Sequence, residues 1–193
     1  MGYIVKIIPT YIPEVKIIEP QVFGDERGFF CELYQKERFF NEIKGMRPFV
    51  QDNFSYSQQG VLRGLHYQSL QPQGKLVTAL RGRIFDVAVD LRLGSPTFAT
   101  WVGVELSEKN HRQLWVPEGF AHGFYVLSEV AAVYYKCTDY YSPAFERSVC
   151  WDDVDLGIQW PLSGVPILSV KDAAGWSLSQ CKNSELPSYA EWS

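Results

Sequence analysis

Histidine is scarce in this chain of 193 residues, with three in all, and cysteine is hardly commoner, with four. Cys31, Cys137, Cys150 and Cys181 make no C-x-x-C pair and no zinc-like spacing. That argues against a zinc module and leaves the thiols reading as reduced, as in a cytoplasmic protein. No stretch approaches the roughly 18 consecutive apolar residues of a membrane-spanning helix. The opening MGYIVKIIPTYIPEVKIIEP is broken by Pro9, Pro13 and Pro20 and crossed by Lys6, Glu14 and Lys16, so no signal-peptide core is expected. Net positive charge is also missing. At −4 the chain lacks the field by which nucleic-acid binders gather phosphates, and any anionic ligand has to meet a local cluster of cations. Internal repeats and low-complexity tracts are absent.

What is present is a core. With 46% hydrophobic and 15% aromatic residues, the chain can bury one substantial interior, and its length predicts a single domain over residues 1–193. IFDVAVDL from Ile84, WVGVEL from Trp101 and VAAVYYK from Val130 alternate with a period of two and are rich in Val, Tyr and Phe, which predicts strands. Gly24, Gly28, Gly60, Gly74, Gly82, the Gly94–Ser95–Pro96 run and the Pro117–Glu118–Gly119 run punctuate them at the short intervals of a sandwich or barrel. One early helix is expected over about Lys36 to Lys44, and a turn over Ser107 to Asn110. From about Trp160, Pro161, Gly164, Pro166, Gly175 and Pro187 predict short helices and loops packed over the barrel. The expected architecture is all-β and jelly-roll-like.

Chemistry has few places to reside. His66 lies in LRGLHYQ and His122 in PEGFAHGF. Strict alternation puts Leu62, Gly64 and His66 on one face of a strand and Arg63 on the other, so Arg63 and His66 share a pocket only if a bulge at Gly64 shifts the register. On the residues alone, either histidine can be a core side chain satisfied by hydrogen bonds. A cupin-type metal site needs a second histidine two residues after His66, where Gln68 stands. His111, in a polar turn, is expected to be solvated. Arg27, Arg63, Lys75 and Lys171 sit beside glycine or in short polar turns, where a side chain can be aimed at a phosphate. Any one of them could equally be a surface charge. The run YYKCTDYY reads first as packing, although a tyrosine facing a lumen can donate a proton.

Ordered blocks say more than composition. GDERGFF from Gly24, FVQDNF from Phe49, VLRGLHYQ from Val61, QGKLV from Gln73, FDVAVDLR from Phe85, SPTF from Ser95, RQLWVPEGFAHGF from Arg112, the Tyr135–Lys136 pair and LSVKD from Leu168 together resemble the dTDP-4-dehydrorhamnose 3,5-epimerase family over about residues 20 to 175. The resemblance implies a cupin jelly roll whose interior holds a thymidine-diphosphate sugar, with no metal and no cofactor. It also implies a homodimer that exchanges N-terminal strands, about residues 1–20. By position, His66 corresponds to the family's base, Asp172 to its orienting carboxylate and Tyr135 to its proton donor. Lys75 and His122 correspond to residues near the sugar, and Arg27 and Arg63 to those holding the pyrophosphate. Glu32, Gln51, Asn53, Glu146 and Lys171 correspond to further substrate contacts. Family members place the Arg27 and Glu32 region on the neighbouring subunit's site. Departures from the pattern are a shorter Gln68 to Gly74 segment and Arg147, where a small residue often follows the glutamate.

These residue types suit the implied reaction. A ketone at carbon 4 acidifies the hydrogens on carbons 3 and 5, so inversion needs a base on one face, a donor on the other, and a group to hold enolate charge. The expectation is that Asp172 steadies His66 through Nδ1, that Lys75 stabilises the enolate, and that the phenol of Tyr135 works beside the Lys75 cation. Other readings are an epimerase acting at carbon 3 only, a 3,4-ketoisomerase, a binding cupin without catalysis, and a metal-dependent cupin oxygenase.

Overall fold

The computed structural model describes residues 5–191. The chain opens with β1 (Lys6–Pro9), β2 (Lys16–Glu19), β3 (Val22–Asp25), β4 (Gly28–Cys31) and α1 (Lys36–Glu42). The body follows as β5 (Gln51–Gln58), β6 (Leu62–Gln68), β7 (Lys75–Arg81), β8 (Arg83–Asp90), β9 (Trp101–Ser107), β10 (Gln113–Val116), β11 (Phe120–Val126), β12 (Val130–Cys137) and β13 (Glu146–Ser148). After β13 come α2 (Val170–Ala173) and short 3-10 turns at Leu178–Gln180, Asn183–Glu185 and Tyr189–Glu191. The alternating segments are strands as expected. The early helix stops at Glu42, with Gln35 accepting from the Arg38 amide at its start. In the Ser107 to Asn110 turn the two side chains cap each other's backbone amides.

Two antiparallel sheets face each other in a jelly roll, with strand orders β1-β2-β10-β7-β12-β5 and β13-β6-β11-β8-β9. Val77, Leu114, Val116 and Val133 of the first sheet meet Ile84, Ala88, Leu106 and Val126 of the second in a fully buried layer. Each large aliphatic side chain there contributes about 1.5–3 kcal/mol relative to exposure. A second layer, containing Leu65, Val87, Val89 and Leu91, lies under the irregular C-terminal segment, which supplies Leu156, Trp160 and Leu186. Helix α1 buries Phe39 with Ile43, Met46 and Trp115 against the six-stranded sheet.

Arg92 ties both ends of the chain to the barrel. It is 2% exposed, bonds Asp90 and Glu14, and lies 4.6 Å from the Phe120 ring and 4.9 Å from that of Tyr189. His111 departs from expectation. It is half-buried, with its ring centroid 4.6 Å from that of Phe29, so the β3–β4 hairpin shields it from water.

Candidate active site

The register of β6 against β11 decides the site. His66 pairs with His122, and three residues earlier Arg63 pairs with Phe124, so the register slips between them. Gly64 sits at this slip with φ +118°, and the Gly64–Leu65 peptide is cis. A Cβ on Gly64 would lie 2.5 Å from Gly123 Cα and 2.7 Å from the His122 carbonyl. Glycine is therefore required on both counts, conformation and approach. The bulge turns Arg63 to the same side as His66, and both line a cavity of about 350 Å³ between the sheets.

His66 is fixed from behind. Its Nε2 lies 2.6 Å from Asp172 Oδ1, and Asp172 is 3% exposed. The same carboxylate accepts from Gly64 N at 3.2 Å and from Ser169 Oγ at 2.6 Å. Burial works against the Asp172 charge, but these hydrogen bonds win and hold its carboxyl well below the usual range. An ionised carboxylate only accepts, so Nε2 carries the imidazole proton and Nδ1 keeps its lone pair. This corrects the expectation of an Nδ1 contact, because α2 presents Asp172 to the other nitrogen. Burial pushes the His66 pKa below its ordinary value, with the Asp172 bond only partly offsetting it. The ring is accordingly neutral at pH 7.

Across the cavity, β12 carries Tyr135 on the opposing sheet. Burial raises its pKa. The Arg63 cation opposes this rise, and Lys75, on the neighbouring strand β7, lines the same cavity as the phenol. Lys136, one residue on, faces the other way and bonds Asp52 at 2.7 Å. Lys75 opens β7 and is buried in the cavity wall; burial lowers its pKa, against the opposing pull of Cys137, Asp86 and Glu146. His122 is buried too, with Nε2 2.8 Å from Asp86 Oδ1.

Gln51, Asn53, Glu146 and Lys171 also line the cavity. Glu146 accepts from Lys171 Nζ at 2.7 Å and from Tyr141 Oη at 2.8 Å. Arg27 and Glu32 do not line it. Arg27 is exposed on the β3–β4 hairpin and pairs with Asp25, while Glu32 pairs with Arg38. Sequence reasoning missed Ser55, Tyr67, Gln68, Gln73, Phe124 and Tyr141 as lining residues and Asp86 as the partner of His122. Ser55 was within reach, since the period of two that joins Gln51 and Asn53 extends to it. Gln68 gives its amide to loop closure, donating to Gln71 and Tyr140 carbonyls and accepting from Ser142 N. Among the described residues no group of three His, Cys, Asp or Glu side chains is arranged to hold a metal ion.

A family model described as dTDP-4-dehydrorhamnose 3,5-epimerase matches residues 9–180. The chain belongs to this family. It is 56% identical over 180 residues to the dTDP-4-dehydrorhamnose 3,5-epimerase of Salmonella typhimurium, covering 93% of this chain and 98% of that one. The Neisseria gonorrhoeae protein of the same name is 54% identical over 180 residues, again 93% of this chain, and the chain spans only 55% of that protein's length. Among solved structures, it is similar to the dTDP-6-deoxy-D-glucose-3,5-epimerase of Legionella pneumophila in complex with dTDP-4-keto-L-rhamnose. There the TM-score is 0.94 at 58% identity, covering 96% of this chain and 98% of that chain.

Proposed function

We propose that the chain inverts carbons 3 and 5 of dTDP-4-dehydro-6-deoxy-D-glucose to give dTDP-4-dehydro-L-rhamnose, using His66 as base and Tyr135 as acid. The observation that carries the reading is the placement of a neutral, carboxylate-held imidazole on one sheet and a protonated phenol on the other, with one cavity between them. His66 Nδ1 removes the proton from the carbon next to the ketone, and the electron pair passes into an enolate. Tyr135 then delivers its proton to the opposite face of that carbon. Solvent takes the proton from His66 and restores the one lost by Tyr135, so the second carbon can follow the same course.

Lys75 is read as the group that holds the enolate oxygen. A single such donor in a water-poor site is worth about 2.7–4 kcal/mol. His122 completes the sugar pocket, held by Asp86. Gln51, Asn53, Glu146 and Lys171 are read as substrate contacts and Arg63 as a diphosphate ligand, so remote binding energy orients the ring.

The working unit is read as a homodimer of single-domain chains in the cytoplasm, with Arg27 and Glu32 serving the neighbouring site. Exposed aromatics support an interface: Phe29 (62%) and Phe30 (58%) on β4, and Phe54 (63%) and Tyr56 (52%) on β5. Within this chain β1 and β2 add to its own sheet through β10. An exchange of residues 1–20 would remake that pairing across the dimer; residues 1–4 lie outside the described residues. No helix among the described residues is long and apolar enough to cross a membrane.

The test is incubation with dTDP-4-dehydro-6-deoxy-D-glucose in heavy water, read by mass spectrometry and NMR. Deuterium at carbons 3 and 5 is expected, and its loss in folded H66A. Label at carbon 3 alone would mark a single epimerase, and no label a binding protein.

A further inference from the structure

Behind Lys75, on the side away from the sugar cavity, lies a carboxylate that the reaction does not use. Glu118 is 5% exposed and borders a separate hollow with Glu14, Arg92 and Trp115. Its Oε1 accepts from Arg47 Nε at 2.9 Å and from Thr138 Oγ1 at 2.6 Å. The Thr138 hydroxyl has a single proton, committed to Glu118, so its lone pair is turned to the Gly74 amide, which donates at 2.8 Å. Thr138 N in turn donates to the Gly74 carbonyl at 3.0 Å. Both backbone groups of Gly74 are thus held by one residue, and that residue is aimed by Glu118.

Packing makes the arrangement tight. A Cβ on Gly74 would lie 2.6 Å from Trp115 Cη2 and 2.9 Å from Glu118 Cδ. Arg47 also donates to the Pro72 carbonyl and Gln73 to that of Asp139. The residue after Gly74 is Lys75, the first of β7, paired with Cys137 on one side and Val116 on the other. The 68–74 loop therefore reaches Lys75 only after being fastened to the exit of β12.

We propose that Glu118 is a positioning residue for Lys75: through Thr138 and Gly74 it sets the point at which β7 enters the barrel, and so where the lysine ammonium meets the substrate's carbon-4 oxygen. This rests on the reading of Lys75 as enolate stabiliser. A displaced ammonium weakens the transition state more than the ground state, so kcat falls while KM holds.

The experiment is steady-state kinetics and solvent-deuterium exchange on T138V, T138S and E118Q, alone and with K75M, using dTDP-4-dehydro-6-deoxy-D-glucose, with circular dichroism and thermal unfolding to establish folding. T138V replaces one hydroxyl by a methyl of the same shape, and it carries the test should E118Q not fold. T138V is expected to lower kcat about ten- to a hundredfold, the range for a misplaced group, with KM within about twofold, and T138S, which keeps the hydroxyl, to restore the parent rate. In the K75M background, T138V should cost less than about twofold, because the group it positions is gone. A K75M enzyme that is slow, together with a T138V enzyme at the parent rate, overturns the proposal alone. So does a T138V effect confined to KM, or one that multiplies in full with K75M. Exchange at the parent rate in K75M overturns the role given to Lys75 and the proposal with it.

Discussion

Asp172 Oδ1 takes hydrogen bonds from two groups on the same strand, His66 Nε2 at 2.6 Å and Gly64 N at 3.2 Å. The carboxylate that orients the imidazole therefore also fixes the bulge that turns Arg63 to its side. D172N keeps the shape of this contact but lets an amide face the ring, so the wrong tautomer becomes available. The expected loss in kcat is on the order of 10⁴-fold, as for the same change at the carboxylate of a catalytic triad. Exchange kinetics on folded protein check it, and a loss under tenfold would show that Asp172 only supports the bulge.

The pH profile follows from the same pair. Burial holds His66 below its ordinary value of 6.5, so the base stays neutral somewhat below that pH. The acidic limb of kcat/KM is expected under 6.5. Lys75 is held below its ordinary 10.5 by burial, so the basic limb should fall before 10.5. Stability has a matching sign. As the pH drops below 6.5 the unfolded chain protonates its histidine first, and stability falls. Asp172, depressed below 3.8, adds stability above 3.8 that is lost as the pH falls through its folded value. Urea midpoints should therefore decrease steadily from pH 7 to pH 3; a flat course would contradict both shifts.

Gly64 tolerates no side chain. G64A adds a Cβ 2.5 Å from Gly123 Cα at a φ of +118°, and the cost should be about 3 kcal/mol or more, the range of severe core and backbone lesions. Denaturant unfolding measures it. Residual folded protein should exchange deuterium slowly, because Arg63 and His66 no longer converge.

Arg92 offers the opposite case, structural and remote from the cavity. R92A leaves the fully buried Asp90 carboxylate without its main partner, which should cost about 3–5 kcal/mol. The specific activity of the fraction that remains folded should be within about twofold of the parent, since Arg92 does not line the site. A selective loss of kcat would point to a role beyond anchoring.

A site shared between subunits, as proposed above for Arg27, predicts complementation. R27A and H66A should each be inactive as pure dimers. Mixing and re-equilibrating equal amounts gives heterodimers with one intact site, and activity should return to about a quarter of the parent by random pairing. No recovery, with mixed dimers shown by mass spectrometry, would place Arg27 and His66 in the same subunit's site.

Much of this was legible beforehand. The strands at Ile84, Trp101 and Val130 showed in their period of two, because each has one face buried between the sheets. His66, Tyr135 and Asp172 stood out through ordered motif blocks. His111 did not, because shielding by Phe29 depends on where a hairpin more than 80 residues away comes to rest. Nor did Asp86, which inside FDVAVDLR looks like any strand carboxylate until β8 is laid against β11.

Residue order by itself determined the alternation of strands, the position of the turns and the set of side chains able to carry acid–base chemistry, since all three follow from local covalent and hydropathic pattern. Only the tertiary structure decided that Arg63 shares a side with His66, that Nε2 rather than Nδ1 meets Asp172, and that Glu118 stands behind Lys75. Each of these depends on how far one strand slips past another or from which direction a distant segment arrives. Those quantities are set by packing between residues far apart in the chain.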